Sequence, residues 1–552
     1  MIRDGKSNGH YVWHFGWGFL PISAFDDSSY SNSFPPAVGR MIDGACKPIP
    51  ESLAKYGMRP MLKRRLIFGA SLIVLIIAGL IGSRIYTTLL SDKELWDAIA
   101  EADRLDPGWR LEELEAKRAV IPPAENSAEQ ILAIKILTLM SKPWPPDSMT
   151  KLRSKGPLED PVSMESEIFE LPPNLQMNAD QTRELRAAMG MVKEPLAKAR
   201  ALGNYRAGRY PIKWSIDYFS TPAPWRNDCR SVTYLLWHDA RLRAQDEDID
   251  GAMISVLGIL SVARSFGREP IQASQLTRLG QPYVATEALE RILAQGQASS
   301  SSLADLQREF EDEASQPVFL FGIRGERAGH HQMMQAVASG KVKASSVSGW
   351  GASGKIGKWL EDVSAELELR KSHAPLLRIM TEIVEIAKLP AEEQRPKVKS
   401  YMRSIEKTDP GEKTDPGWAA PTYLGMMVWM VEKFGESFWR HQASLRCTIV
   451  AVAVERYRLT HGRWPESLSS LVPKYLPKVS LDPYDAKPLR YRRFQEGVVI
   501  YSIGPDEEDN GGNIDRQNPA KPGNDIVFQL WDVNRRRQPW HPPIKPPEEE
   551  DK

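Results

Sequence analysis

Cysteine is almost absent from this 552-residue chain, which carries only Cys46, Cys229 and Cys447. A disulfide-stapled scaffold is excluded, because such folds are small and cysteine-dense. One bridge, Cys229 to Cys447, is open to the portion after residue 90 and needs its Cα atoms within about 7 Å. The alternative is two buried thiols, and Cys447 lies on an apolar helical stretch. Charge of one sign is also lacking: 72 Lys and Arg oppose 71 Asp and Glu, for a net charge of +1. With no basic stripe interleaved with aromatics, nucleic-acid binding is disfavoured. A complete catalytic motif is missing, and no Ser-His-Asp set assembles around His238-Asp239 or His441.

Long hydrophobic runs are equally scarce, with one exception. Leu66–Gly82 contains no charged residue. At 1.5 Å per residue it spans about 25 Å, and an extension to Leu90 reaches the ~30 Å of a bilayer core, with Arg84 snorkelling. Lys63-Arg64-Arg65 precedes it, whereas Ser91-Asp92-Lys93-Glu94 is balanced. This bias puts the N-terminus inside and residues 91 onward outside the cytoplasm. Leu80-Ile81-Gly82-Ser83-Arg84 offers no clean small-x-small cleavage site, which favours an uncleaved anchor over a signal peptide. Residues 1–62 lack periodicity and are expected to be an unstructured cytoplasmic segment, or an extension upstream of a start at Met61.

Residues 91–436 read as an irregular helical array. Predicted helices include Glu94–Leu105, Leu111–Val120, Ile131–Met140, Gln181–Leu202, Ser231–Ala244, Gly251–Phe266, Gln272–Gln295, Ser302–Ala314 and Val318–Val337. Lys358–Leu369, His373–Ala387 and Ala391–Ile405 follow, with Pro143–Pro173 left as loop. The pairing of helices with small residues at Ala240 and Ala252 is similar to tetratricopeptide packing, but no period of about 34 residues exists. The hexapeptide Glu406–Gly411 is duplicated as Glu412–Gly417, with tandem Asp-Pro-Gly turns that make a surface loop. Residues 437–533 change character: a helix over Ser437–Leu459, a turn at Glu466–Leu471, then strands at Leu489–Phe494, Val498–Ile503 and Ile526–Leu530. Residues 534–552 are proline-rich and acidic, hence a predicted disordered tail.

In that last part, Tyr457-Arg458-Leu459-Thr460-His461-Gly462-Arg463-Trp464-Pro465 leads to Leu468–Val472, Tyr475-Leu476-Pro477, Asp482-Pro483-Tyr484 and Tyr501-Ser502-Ile503-Gly504-Pro505-Asp506. Over about residues 445–530 this order resembles the globular part of the major (G-type) pseudopilin of bacterial type II secretion. The resemblance implies a helix packed on a small antiparallel sheet, and a calcium-binding loop mapping onto Asp506–Asp525. True pseudopilins carry a prepilin-peptidase signal before their hydrophobic helix, and none precedes Leu66. The resemblance therefore implies a borrowed module and not a filament subunit.

The loop also has its own chemistry. Asp506, Glu508 and Asn510 alternate before Gly511, like the first half of an EF-hand loop, while Gln517 stands where the bidentate acid belongs. Asp509, Asp515 and Asp525 are candidates to complete a different calcium cage; the alternative is a solvated acidic turn. Gly349-Trp350-Gly351-Ala352-Ser353-Gly354-Lys355 imitates a phosphate loop, but Ile356 replaces the Ser/Thr that holds magnesium, so no nucleotide is expected. His330 and His331 diverge by about 100° on a helix and cannot share one metal. Glu326 and His330 read as an i, i+4 surface pair.

The expectation is a mainly α protein with a single transmembrane helix at 63–90, an irregular α-helical ectodomain and a small C-terminal α+β module. It is held in the bacterial inner membrane through Leu66–Leu90, with a periplasmic ectodomain that scaffolds a protein partner in the envelope. The rivals are an envelope hydrolase with its site around Asp217–Arg243 and Gly322–His331, and a component of the secretion apparatus.

Overall fold

The computed structural model describes residues 60–141, 152–154, 161–348, 355–408, 423–514 and 523–541. The chain divides into two compact units, Met1–Gly79 and Leu80–Lys552. In order, the elements are α1 (Pro60–Leu105), α2 (Leu111–Ala116), α3 (Ser127–Ser141), the hairpin β1 (Leu152–Ser154) and β2 (Pro161–Ser163), α4 (Met164–Glu170), α5 (Ala179–Met191) and α6 (Lys193–Ala201). Then come α7 (Trp225–Gln245), α8 (Ile249–Arg264), α9 (Gln272–Gln295), α10 (Ser300–Ala314), α11 (Val318–Ala338), α12 (Ser345–Ser348), α13 (Lys355–Ala387), α14 (Ala391–Thr408) and α15 (Tyr423–His461). Strands β3 (Arg490–Phe494), β4 (Gly497–Ser502) and β5 (Ile526–Trp531) close the sequence of elements. The protein is mainly helical, with a three-stranded antiparallel sheet of order β3-β4-β5 near its C-terminus.

The anchor stretch and the predicted helix Glu94–Leu105 form the single helix α1. Along it Phe68, Leu72, Val74, Leu75, Ile85, Tyr86, Leu89 and Leu90 are all exposed. Among the described residues no helix is long and apolar enough to cross a membrane. Of the seventeen side chains in Leu66–Gly82, those of Leu66, Ile67, Ala70, Ile73, Ile76, Ile77, Leu80 and Ile81 lie outside the described residues. Further along, the last turns of α1 bury Ala98 and Ala102 together with Trp109 against Ala374 and Leu377 of α13.

Several breaks move relative to the sequence reading. Gln181–Leu202 is divided at Val192 into α5 and α6, because Pro195 suits a first turn and not a helix interior. Asn178 opens α5 by accepting a hydrogen bond from Gln181 N, while Gln181 Oε1 accepts from Asn178 N. Conversely, Leu369 and His373 belong to one helix, α13, which carries Pro375 inside it. Helix α15 begins at Tyr423, so residue 436, the expected boundary, falls mid-helix. Gly435 does not break that helix. A Cβ there would stand 2.7 Å from the Trp439 ring, so glycine gives the indole its seat.

Two apolar clusters fill the interior of the second unit. One joins α3, the α5–α10 helices, the C-terminal half of α15 and the sheet, where all six residues of β4 are buried. The other joins α11, α13, α14 and the N-terminal half of α15, with Phe319 stacked among Phe434, Phe438 and Trp439. Helix α15 therefore serves both.

Residues 534–541, assigned by composition to a disordered tail, instead form an ordered strap; residues 542–552 lie outside the described residues. Gln538 donates its backbone N–H to Asn174 O and accepts from Gln176 N. Arg537 donates to the carbonyls of Ala244 and Gln245 at the end of α7. Arg536 makes two 3.0 Å bonds to Glu455 of α15, whose side chain is fully buried and also held by Arg458. These pairings overcome composition because they satisfy buried charge and helix-end carbonyls that water does not reach. Glu455→Gln leaves Arg536 and Arg458 without their carboxylate. Equilibrium urea unfolding should show a loss of about 3–5 kcal/mol, against near-normal stability for the paired Glu455→Leu/Arg536→Met variant.

Candidate functional site

The densest convergence of titratable side chains lies on α11, and three glycines create it. A Cβ at Gly322 would sit 2.3 Å from the Phe434 ring, one at Gly325 would sit 2.5 Å from Pro270 O, and one at Gly329 would sit 2.3 Å from the Tyr218 ring. With no side chains there, neighbouring segments close directly onto the helix and bury what stands between the glycines. Glu326 and His330, expected as a surface pair, are consequently 6% and 3% exposed.

His330 Nε2 lies 3.4 Å from Glu326 Oε2, and His330 Nδ1 lies 2.6 Å from the Tyr423 hydroxyl at the start of α15. Tyr218 donates to Pro270 O at 3.0 Å and approaches Glu326 Oε1 at 3.3 Å. Its backbone has φ of 58°, an uncommon conformation for an aromatic residue that turns its ring onto Gly329. Burial raises the Tyr218 and Tyr423 hydroxyls above the ordinary phenol range, with Glu326 adding to each. Carboxylate, imidazole and phenols thus form a connected chain packed under Phe219.

One residue on, His331 turns to a different face, as the 100° rotation requires, and meets His373 of α13 with Nδ1 to Nε2 at 3.0 Å. Trp109 sits edge-on to His331 with centroids 4.9 Å apart. Burial first, then Arg110, holds His331 down to about 4; burial, then His331, His330 and Arg370, holds His373 down to about 3. Beside the pair, Asp106 accepts from both Arg324 and Arg327, with Lys388 at 3.6 Å. Asp103 accepts from Trp109 Nε1 at 2.9 Å and from Arg110.

Near the α8–α9 turn, Glu269 is fully buried and accepts from Ser274 Oγ at 2.6 Å. Burial pushes its carboxyl up to about 7, against the opposing pull of Ser274, Arg118, Trp225 and Arg226. The two sequence regions named for a hydrolase site are both buried and polar. However, Asp239 is engaged by Arg200 and Ser255, and His441 Nδ1 faces Leu279 O at 3.1 Å. The hollows beside such groups are small: about 40 Å³ between α1, α11 and α13, lined by Asp92, Glu366, Arg370 and His373 among others. The larger one, about 660 Å³, is an open groove along α5 lined by Met177, Ala179, Thr182, Arg183, Arg186, Ala187 and Gln245.

The proposed calcium loop is partly described, since Asp515 and its neighbours up to residue 522 lie outside the described residues. Asp525 accepts from the backbone N–H of Asn510 and Gly512; Asp506 accepts from those of Glu508 and Gly523; Asp509 accepts from that of Gly511. Among the described residues the Glu508 side chain takes no part in that lattice. Among the described residues no group of three His, Cys, Asp or Glu stands ready to hold a metal. The Gly349–Gly354 segment likewise falls outside the described residues, with Lys355 opening α13. Cys229 and Cys447 are free and buried, the first beside Tyr210 and Ser265 and pushed up to about 12 by burial.

Sequence reasoning singled out Glu326, His330 and His331 but missed Tyr218, Tyr423, His373 and Trp109. The Gly322-x-x-Gly325-x-x-x-Gly329 spacing was the available signal, since glycines on one helix face mark close approach. The chain matches no family model, no curated protein and no solved structure.

Glu269 supplies a pH dependence whose sign is fixed by its raised folded value. The stability it contributes is complete below about 4.5, its unfolded value, and is lost as pH rises through about 7. Between pH 5 and pH 8 the chain should lose roughly 2–3 kcal/mol from this group. Urea melts of Glu269→Gln should lack that component, so the variant gains on the parent chain by this amount over the interval.

Proposed function

We propose that this chain is a single-pass, membrane-anchored protein of the bacterial envelope, whose helical unit is an extracytoplasmic scaffold for a protein partner. The observation that carries the reading is α1: Phe68, Leu72, Val74 and Leu75 stand exposed on an uncharged run behind Lys63-Arg64-Arg65. Apolar side chains ordered along a helix and left uncovered call for a lipid or protein environment. The open groove along α5 supports binding over catalysis, since apolar Met177, Ala179 and Ala187 line it together with Arg183 and Arg186. The hollow of about 40 Å³ that His373 lines is far below substrate size. This reading takes the C-terminal helix and three-stranded sheet as a borrowed pseudopilin-like module that forms one side of the scaffold. Alkaline carbonate should leave the full chain in the membrane pellet, and protease should cut it in whole cells only after the outer barrier is opened. Release by carbonate, or protection that persists after opening, would sink the reading.

A second reading, calcium at the Asp506–Asp525 loop, has one observation in its favour. The buried Asp525 carboxyl is raised by burial, and Asp509 and Asp506 add to the rise. A cation would relieve that repulsion. On this reading, millimolar calcium raises the Tm of the chain by a few degrees, chelator reverses it, and Asp525→Asn abolishes the response; an unchanged Tm removes calcium from the account.

A further inference from the structure

The two histidines that meet across α11 and α13 belong to the site on α11, yet nothing in a scaffold requires them. They occupy the joint where the last turns of α1 dock. The apolar part of that joint is small, Ala98, Ala102 and Trp109 against Ala374 and Leu377, and Asp106 adds its bonds to Arg324 and Arg327 at the foot of the turn. Directly after α1, Pro107 and Gly108 turn the chain, Gly108 with φ of 73°, and return Trp109 onto the His331 ring. We propose that the His331–His373 contact is an acid-released latch, which holds the last turns of α1 and Trp109 against α11 and α13 and lets them swing about Pro107-Gly108 when both rings are protonated.

The chemistry of the contact sets its proton count. Two neutral rings share one N–H between Nδ1 of His331 and Nε2 of His373 at 3.0 Å. A first proton leaves an imidazolium donating to a neutral ring, which preserves the bond. A second proton sets N–H against N–H, and the contact fails. Every group facing the pair bears on this. From the α1 side come Asp103, which favours charging His331, and Arg110, which opposes it; on α11, Arg327 opposes it as well. For His373, His330 of α11 and Arg370 of α13 both oppose charging. Asp103 is already taken by Arg110 and Trp109, Asp106 by Arg324 and Arg327, and Arg370 by Asp92 at 3.1 Å and Glu366 at 3.9 Å. Among the described residues, Asp103, Asp106, Asp92 and Glu366 are thus all engaged by cations before a second charge arrives. The hollow of about 40 Å³ that His373 lines admits water and gives the protons a path.

In the docked state the rings titrate at about 4 and about 3; once freed they return toward the ordinary value near 6.5. Opening therefore takes up two protons, and its equilibrium constant grows by up to about 100-fold per pH unit between roughly pH 6 and pH 4. The latch stands without a membrane. Only its consequence, loosening of the stem that leads from the anchor, rests on the proposed tethering.

Hydrogen exchange on the full chain in detergent, corrected for intrinsic rates, tests it. Amides of 98–111 should lose protection by up to about 100-fold per pH unit between pH 6 and pH 4, while those of α7–α10 hold theirs. His331→Gln/His373→Gln should abolish that step. A pH-independent segment in the parent chain, or an equal acid step in the double variant, overturns the proposal. Should the double variant not fold, C2–H exchange of the two histidines in the unmodified chain decides: half-titration below about pH 5 supports the latch, and values near 6.5 with 98–111 still protected refute it. Failure of the anchor would show in carbonate extraction and leave these readouts untouched.

Discussion

Charge taken out of water must find a partner, and in this protein the partners come from far along the chain. Arg278 of α9 meets Glu313 of α10 through two 3.0 Å bonds with both side chains buried. Arg200 of α6 reaches Asp239 of α7, Arg327 of α11 reaches Asp106 beyond α1, and Arg536 past β5 reaches Glu455. Each such ion costs several kcal/mol to desolvate, so a helix that shifts off its neighbour strands a charge. The apolar clusters supply most of the burial, but they are forgiving of small slides. The ion pairs are not, and they fix the register of helix on helix.

Helix α15 is where these constraints gather. Its N-terminal half lies in one apolar cluster and its C-terminal half in the other, and the sheet packs on it beside α9. Gln529 of β5 donates its N–H to Glu290 of α9, so the sheet is bonded to the helical array as well as packed on it. A module that reads in sequence as a separate cap is in the fold a wall of the same building, which suits a rigid platform better than a hinged pair of domains.

What was legible in the sequence follows from physical range. Helix α7 begins at Trp225, before the expected Ser231, while helices α8 to α11 have bounded ends and lie within two residues of expectation. So do the three C-terminal strands, where alternation and a Glu496-Gly497 turn carry the signal. Expected breaks vanish where tertiary packing carries the helix through: residues 370–372 lie inside α13, and residue 436 lies inside α15, where Gly435 is covered by Trp439. The hairpin β1–β2 and α4 arose in a stretch too rich in proline to show a period. On α11 the sequence shows that Glu326 and His330 share a face, but what covers that face comes from residues 218 and 423, and nothing local announces them. The same holds for His373, whose relation to His331 exists only once α13 is laid against α11.

The strap at residues 535–538 bears on the order in which the molecule is assembled. Asn174 and Gln176 wait 361 residues for Arg535 and Arg537, and the carboxylate of Glu455 waits for Arg536. A chain emerging from the ribosome completes α5 to α10 and α15 long before those partners exist. Until they arrive, Asn174 and Gln176 lack their strap partners and Glu455 has Arg458 of its own helix but not Arg536. The nascent protein is thus held short of its final state. The strap, made after every helix it touches, then completes these bonds.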